Sequence, residues 1–378
     1  MKYNPEHFQP NVWQRITKII SSNRIGSAYL FSGPEGTGKE AAALAFSAAL
    51  NCQGNEIICG SCSSCVRFSS LQHEHLHVIV PLPRKKANFD KDTDVLSIIG
   101  DDNAALLTDL LQKKGTDPFQ KINIPRAKRI LINSIRELRK KLYLKSVESG
   151  YKMVLIFDAH CLSDGDGASA NALLKLLEEP PKKTTVILVT DYKSMLLSTI
   201  QSRCQQIDFP PISHDIVSTY LTDRGIHSGE AEFYANLADG NIHKARFLAD
   251  RTVAEILKTM KDQVEAVVNS NGDGWRSYIN NMSRMVRSDP NNFKFHLFLL
   301  QTWFQQSVRF RQNISSPLAQ NGFEEALKTF TTSYPQANLT TANSVIETTI
   351  ASIDRNFYMP LTLTNMLIDI QHYLKGKA

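Results

Sequence analysis

The feature that most limits how this chain can fold lies near its start. The apolar run Ala28-Tyr29-Leu30-Phe31 leads into Gly33-Pro34-Glu35-Gly36-Thr37-Gly38-Lys39-Glu40, and an alanine-rich helical segment, 38–50, carries on from there. Strand, glycine-rich turn and helix in that order make a phosphate-binding loop. The backbone N–H groups of the turn and of the helix start cradle phosphate oxygens, and Lys39 reaches the β- and γ-phosphates. The pattern G-x-x-x-x-G-K-[ST] is met at every position but the last, where Glu40 replaces the hydroxyl that holds Mg²⁺. Gly33, Pro34, Glu35, Gly36, Thr37, Gly38, Lys39 and Glu40 are the candidate nucleotide contacts. A carboxylate at position 40 can coordinate Mg²⁺ but also repels phosphate, so binding of ATP and Mg²⁺ is open on sequence alone.

The rest of the first 211 residues fits a parallel sheet covered on both faces. Near-continuous apolar runs at 77–80, 152–158, 186–190 and 205–209 alternate with helical patterns at 11–23 and 168–179. Residues 84–123 read as an insertion with one helix over about 103–114. Pro125 is placed to open a long helix, 125–143, with Arg126, Lys128, Arg129, Arg136, Arg139, Lys140 and Lys141 along it. That basic helix is either a contact for nucleic-acid phosphates or a solvated face with i,i+4 pairs. After Pro211 strand signals vanish. The expected division is an α/β module at 1–211, small lid helices at 212–252 and an all-helical region at 253–378 anchored by Trp275, Phe293, Phe298, Trp303 and Phe304.

Composition narrows the setting. Hydrophobic content of 42% and charged content of 21% are those of an ordinary globular protein. No apolar run reaches the roughly 18 residues of a membrane span. The start, Met1-Lys2-Tyr3-Asn4-Pro5-Glu6, has no apolar signal core, so the expectation is a cytoplasmic protein with no membrane partner. A net charge of +6 suits an anionic partner, and equally a modest surface excess. Cys52, Cys59, Cys62 and Cys65 are spaced C-x₆-C-x₂-C-x₂-C, which suits a structural tetrahedral Zn²⁺. The alternatives are free thiols, or a site in which His73, His75 or His77 replaces one cysteine.

Asp158 ends the run 152–158 where folds of this kind hold Mg²⁺, the alternative being that it merely ends a strand and caps the next segment. The next residue, expected to be a Glu that polarises the attacking water, is Ala159. A positioned proton acceptor contributes about 10²–10⁴-fold, so its loss means slow chemistry.

Tyr29 to Lys39, the four cysteines, Ala170-Asn171-Ala172-Leu173-Leu174-Lys175-Leu176-Leu177-Glu178-Glu179-Pro180-Pro181 and Thr199-Ile200-Gln201-Ser202-Arg203-Cys204 together resemble the bacterial DNA polymerase III clamp-loader subunits of the AAA+ class. The resemblance spans about 5–210 and continues weakly at Met359 to Leu367. It implies an AAA+ module with a zinc knuckle, a helical lid and a collar that oligomerises. Within the family, the motor branch (gamma/tau) keeps the loop hydroxyl and the strand Glu. The delta-prime branch often loses both, and this chain, with Glu40 and Ala159, looks like delta-prime.

That resemblance implies a stator in a hetero-oligomeric ring with gamma/tau and delta subunits, acting on a sliding clamp and on primer–template DNA without sequence preference. It implies that Arg203 is an arginine finger completing the neighbour's ATP site, the bland alternative being an arginine in a surface ion pair, and that Thr190 sits at a γ-phosphate sensor position or merely caps its strand. Cys204 reads as a small buried residue. A lid arginine is expected within Asp239-Gly240-Asn241-Ile242-His243-Lys244-Ala245-Arg246, where none matches clearly. Two rival readings are an active motor with Glu40 as a metal ligand, and a free-standing nucleic-acid-binding scaffold built on the knuckle and basic helix.

Overall fold

Among the described residues, five strands form one parallel sheet: β1 (Ala28–Ser32), β2 (Leu76–Ile79), β3 (Lys152–Ile156), β4 (Thr184–Thr190) and β5 (Gln205–Asp208), in the order β2-β3-β4-β1-β5. The computed structural model describes residues 4–84, 90, 93–144, 149–165, 167–269, 272–314, 318, 322–353 and 357–376. β1 and β4 are buried along their whole length, which is why they read as unbroken apolar runs rather than alternating ones. Leu30 pairs with Leu188 of β4 on one side and with Gln206 of β5 on the other. The strand order turns about β1, and in open parallel sheets the crevice beyond the strands' carboxyl ends at such a point is where ligands bind.

One face of the sheet is covered by the helices Ile132–Tyr143 and Ala168–Glu178, whose Ile135, Leu138, Leu173 and Leu176 pack with Leu30, Val154, Ile156 and Leu188. Each such fully buried aliphatic side chain contributes about 1.5–3 kcal/mol. The helix Lys39–Leu50 buries Ala41 through Ala49, and its small side chains admit a close approach. Phe46 of that helix meets Tyr29 of β1 edge-on at 5.3 Å.

The expected helix over 125–143 is shorter, starting at Ile132. Residues 124–127 instead form a turn closed by the Ala127 N–H on the Ile124 carbonyl at 3.1 Å, with Arg126 left-handed at φ 65°. Proline is as suited to the second position of a turn as to the first of a helix, and tertiary pairing decides between them. The Arg129 carbonyl accepts from Leu82 N–H and the Ile130 N–H donates to the Cys161 carbonyl, so this stretch is held extended. Arg126, Lys128 and Arg129 therefore leave the basic helix, and on what remains Lys141 pairs with Glu137 at 2.7 Å as an i,i+4 pair. Within 84–123 the helix expected at 103–114 runs over Asp101–Thr116, preceded by Val95–Ile99; residues 85–89, 91 and 92 of the insertion lie outside the described residues.

The chain divides into two compact units, one comprising residues up to Val217 with Asp239–Lys244, the other Ser218–Ala238 with the residues from Ala245 onward. In the second unit the helices Val253–Val268, Pro290–Arg311, Leu339–Ser352 and Met359–Leu374 surround the fully buried Leu297, Leu300, Phe304, Ile346, Leu363 and Leu367. A Thr252–Glu255 capping box starts the first of these helices. Trp303 meets Phe323 and Phe330 edge-on at 5.4 and 5.8 Å. Phe293 is buried with them, whereas Trp275 and Phe298 are only half-buried. Among the described residues no helix is long and apolar enough to cross a membrane.

Gly33 ties β1 to the end of β5. Its φ is +150°, and a Cβ placed there would lie 2.2 Å from the Phe209 carbonyl oxygen. Gly33→Ala is expected to lower stability by about 2 kcal/mol or more, seen as a lower thermal midpoint. An unchanged midpoint would mean that Phe209 yields freely.

Candidate functional site

The glycine loop leaves the carboxyl end of β1 and turns through Gly36 (φ 72°) and Gly38 (φ 81°) into the helix Lys39–Leu50. Gln9 Nε2 donates to the Thr37 carbonyl at 3.0 Å and to the Pro210 carbonyl at 2.9 Å, and the Ile242 N–H donates to the Gly36 carbonyl at 3.0 Å. A Cβ at Gly36 would sit 1.9 Å from Asn241 Oδ1, so glycine is needed for this approach. Residues 35–41 line a small cleft together with Pro118, Phe119, Lys121, Asp158, Thr190, Asp191 and His243.

Every charged group in this cleft faces another one from the chain itself. Lys39 is 4% exposed; its Nζ meets Asp191 Oδ1 at 2.8 Å and donates to Thr37 Oγ1 at 3.2 Å and to the Pro34 carbonyl. Burial lowers the Lys39 pKa, with Asp191 opposing. Asp191, although burial acts to raise it, is held below the usual carboxylate range by Lys121 and Lys39.

Lys121 Nζ lies 3.3 Å from Glu35 Oε1, 3.3 Å from Asp191 Oδ2 and 3.8 Å from Asp158 Oδ1. Burial alone would lower Lys121, but Asp158, Glu35 and Asp191 hold it well above the ordinary lysine value. Asp158 sits two residues past β3 in the left-handed region (φ 47°, ψ 47°), and burial pushes its carboxyl up to about 6 against the pull of Lys121. Glu40 is paired with Lys114 of the helix Asp101–Thr116. The Thr190 hydroxyl accepts the Tyr192 N–H at 3.0 Å and contacts His160 Nδ1 at 3.1 Å, so it caps the end of its strand.

The acids expected to hold Mg²⁺ thus face lysines, and this donor set does not fit a divalent ion as arranged. Lys39, Glu40 and Asp158 stand at motif positions and Thr190 at one the family resemblance implies, whereas Lys114, Lys121 and Asp191 belong to no motif. Asp191 follows directly on Thr190 at a strand end and is visible in principle. The two lysines lie in an insertion that carries no motif.

The cysteines converge. The four Sγ atoms all lie within 4.8 Å of one another, with Cys59 and Cys65 at 4.0 Å. A tetrahedral Zn²⁺ with Zn–S bonds of about 2.3 Å places its sulfurs about 3.8 Å apart, so the set fits. Gly60 (φ 70°) makes the knuckle turn, and Cys62 caps the helix Ser63–Ser69 by accepting the Cys65 N–H at 3.4 Å. N–H donation from Cys62 and Ser61 draws the Cys59 thiol down to about 6, whereas burial pushes the Cys65 thiol up. The histidines are engaged elsewhere: His73 stacks on Phe68 at 4.2 Å and contacts the Ser64 hydroxyl, His75 faces Glu74, and His77 lies on β2.

Arg203 follows the short helix Ser198–Gln201 and precedes β5. Its side chain is 37% exposed, with Nη2 donating to Glu178 Oε1 at 2.8 Å and Nη1 to the Thr199 carbonyl at 3.0 Å. β1 and β5 are parallel with Tyr29 opposite Gln205, so Arg203 lies at the amino edge of the sheet and the glycine loop at the carboxyl edge. The separation is on the order of 15 Å or more along the strands. Arg203 cannot serve the loop of its own chain. Cys204 beside it is buried, and burial pushes its thiol up to about 12.

The family described as DNA polymerase III, delta subunit matches residues 8–213, which include the glycine loop, the cysteines and Arg203. The chain is 30% identical over 232 residues to DNA polymerase III subunit delta' of Bacillus subtilis (strain 168), covering 61% of this chain and 56% of that protein. It is 29% identical over 272 residues to subunit tau of the same organism, covering 68% of this chain and 40% of that protein. The chain therefore spans about half the length of the curated relatives it matches. A DNA polymerase III gamma subunit-related protein from Thermotoga maritima aligns with a TM-score of 0.40 at 14% identity, covering 96% of this chain and 99% of that one. With more than half of its length matched, the chain belongs to the DNA polymerase III delta subunit family.

Proposed function

We propose that this chain is a clamp-loader subunit of the delta-prime type: a stator with little or no ATP hydrolysis of its own, which presents Arg203 to the ATP bound by a neighbouring subunit. Its AAA+ module would be residues 1–211 with the zinc knuckle, its lid 212–252 and its oligomerising collar 253–378. Gamma/tau and delta subunits would be its ring partners, in the cytoplasm, with the sliding clamp and primer–template DNA as the objects of the assembly. The observation that carries the reading is the placement of Arg203, exposed at the sheet edge opposite its own glycine loop. A fixed, permanently charged guanidinium stabilises charge on a transferred phosphoryl group, a contribution of about 10³–10⁵ where it has been isolated. Ala159 in place of the water-polarising Glu, and Glu40 engaged by Lys114, both speak against the rival reading as an active motor.

The test is reconstitution with the motor and delta subunits. Arg203→Ala is expected to leave the thermal midpoint and the assembly intact and to lower DNA-stimulated ATP hydrolysis several-fold. Arg203→Lys is expected not to restore it, because an ammonium lacks the planar fork. Unchanged hydrolysis in Arg203→Ala would sink the arginine-finger role.

The cysteine cluster would hold one structural Zn²⁺, since four thiolates leave no open position for chemistry. Purified chain is expected to contain one zinc per molecule by metal analysis. Cys62→Ser or strong chelation is expected to lower the thermal midpoint. Metal-free protein of unaltered stability would contradict a structural metal.

A further inference from the structure

The cleft beside the glycine loop is lined by four carboxylates, those of Glu35, Glu40, Asp158 and Asp191. Three ammonium groups, from Lys39, Lys114 and Lys121, lie against them. Two of the three come from one stretch of the insertion. We infer that residues 114–121 are a built-in cationic plug: Lys121 takes the place of a divalent cation among Asp158, Asp191 and Glu35, and Lys114 neutralises Glu40, so the glycine loop is held closed without metal or nucleotide. The inference deepens the stator reading and rests on it for its purpose, but its geometry belongs to this chain alone.

Lys114 is the firmer half. Its side chain has no exposed surface, and an ammonium so desolvated survives only when all its protons are used. It has three acceptors for three protons: Glu40, the Pro118 carbonyl at 3.1 Å and the Gln120 carbonyl at 2.8 Å. The Phe157 ring lies 5.0 Å away as a further partner for the charge. Two of those acceptors belong to the turn that carries Lys121, so Lys114 also fixes the segment beyond its own helix. Threonine or serine at position 40 would leave this ammonium without its carboxylate. The departure from the loop motif and the inserted lysine are therefore one device.

Lys121 is the half that excludes metal. A divalent ion binding Asp158 and Asp191 would have to sit where a positive charge already stands within 3.3–3.8 Å of three carboxylates. Pro118 and Phe119 of the same turn line the cleft, and Phe119 is held against Phe8 at a ring distance of 4.9 Å. The plug is thus anchored at its helix end by Lys114 and at its turn by an aromatic contact.

Mn²⁺ is the probe, titrated into the isolated zinc-loaded full chain and followed by the electron paramagnetic resonance of the free ion, with the thermal midpoint as a second readout. Wild type and Lys121→Arg are expected to show no saturable site and no shift of midpoint with Mn²⁺. Lys121→Met is expected to bind Mn²⁺ about tenfold or more tightly, since a like charge in contact with the site has gone. Its midpoint should fall without the ion and recover with it. If Lys121→Met is insoluble, Lys121→Gln is read in the same way. Equal Mn²⁺ binding by wild type and the neutral variant, or no gain in either neutral variant, would overturn the plug. No partner subunit is needed, so this result and that of Arg203→Ala in the assembly fail separately.

Discussion

The contact on which the rest of the α/β unit depends is the ion pair between Lys39 and Asp191, 2.8 Å long and almost wholly removed from water. Lys39 begins the helix behind the glycine loop, and Asp191 follows the last residue of β4. The pair therefore ties the loop to the neighbouring strand at the point where the sheet order turns about β1. Asp191 holds Lys121 as well, and through it the insertion is joined to the same edge. A buried pair of this kind adds little over an apolar replacement but costs several kcal/mol to break on one side. In a nucleotide-bound loop the lysine would turn to phosphate; here its partners are a carboxylate, a carbonyl and a hydroxyl of the chain itself.

The two edges of the sheet consequently have different characters. The carboxyl edge carries the inherited phosphate-loop shape with its charges already matched. The amino edge carries Arg203, more exposed and oriented by Glu178 and the Thr199 carbonyl. One side chain cannot reach both edges, so Arg203 lies out of range of its own glycine loop. The cysteine cluster is independent of either, lying between the helix Lys39–Leu50 and β2, where N–H groups of its own turn converge on the sulfurs.

Much of this was legible in the residues. Short, β-branched apolar runs such as Val186-Ile187-Leu188-Val189 fit strands covered on both faces, and a glycine loop between such a run and an alanine-rich helix fits a phosphate-binding loop. Four cysteines in fourteen positions had a metal-binding geometry available locally, so spacing sufficed. What stayed hidden depends on long-range pairing. Pro125 suits a helix start and a turn equally, and the hydrogen bonds of Leu82 and Cys161 to Arg129 and Ile130 decide for the turn. Lys114 and Lys121 look like any surface lysines of a charged insertion. Only their meeting with Glu40 and Asp158, residues 74 and 37 positions away, reveals their part. Glu40 appeared as a defect in a motif because its partner lay outside that motif.

If the loop's charges are satisfied within the chain, Lys39 and Asp191 are energetically coupled, and a double-mutant cycle on Lys39→Met and Asp191→Asn measures that coupling directly. The readout is urea unfolding of the α/β unit, followed by the fluorescence of Trp13 with Trp275 and Trp303 replaced by Phe. A coupling above about 1 kcal/mol is predicted, as for side chains in direct contact. Additivity within about 0.5 kcal/mol, the behaviour of distant sites, would contradict it.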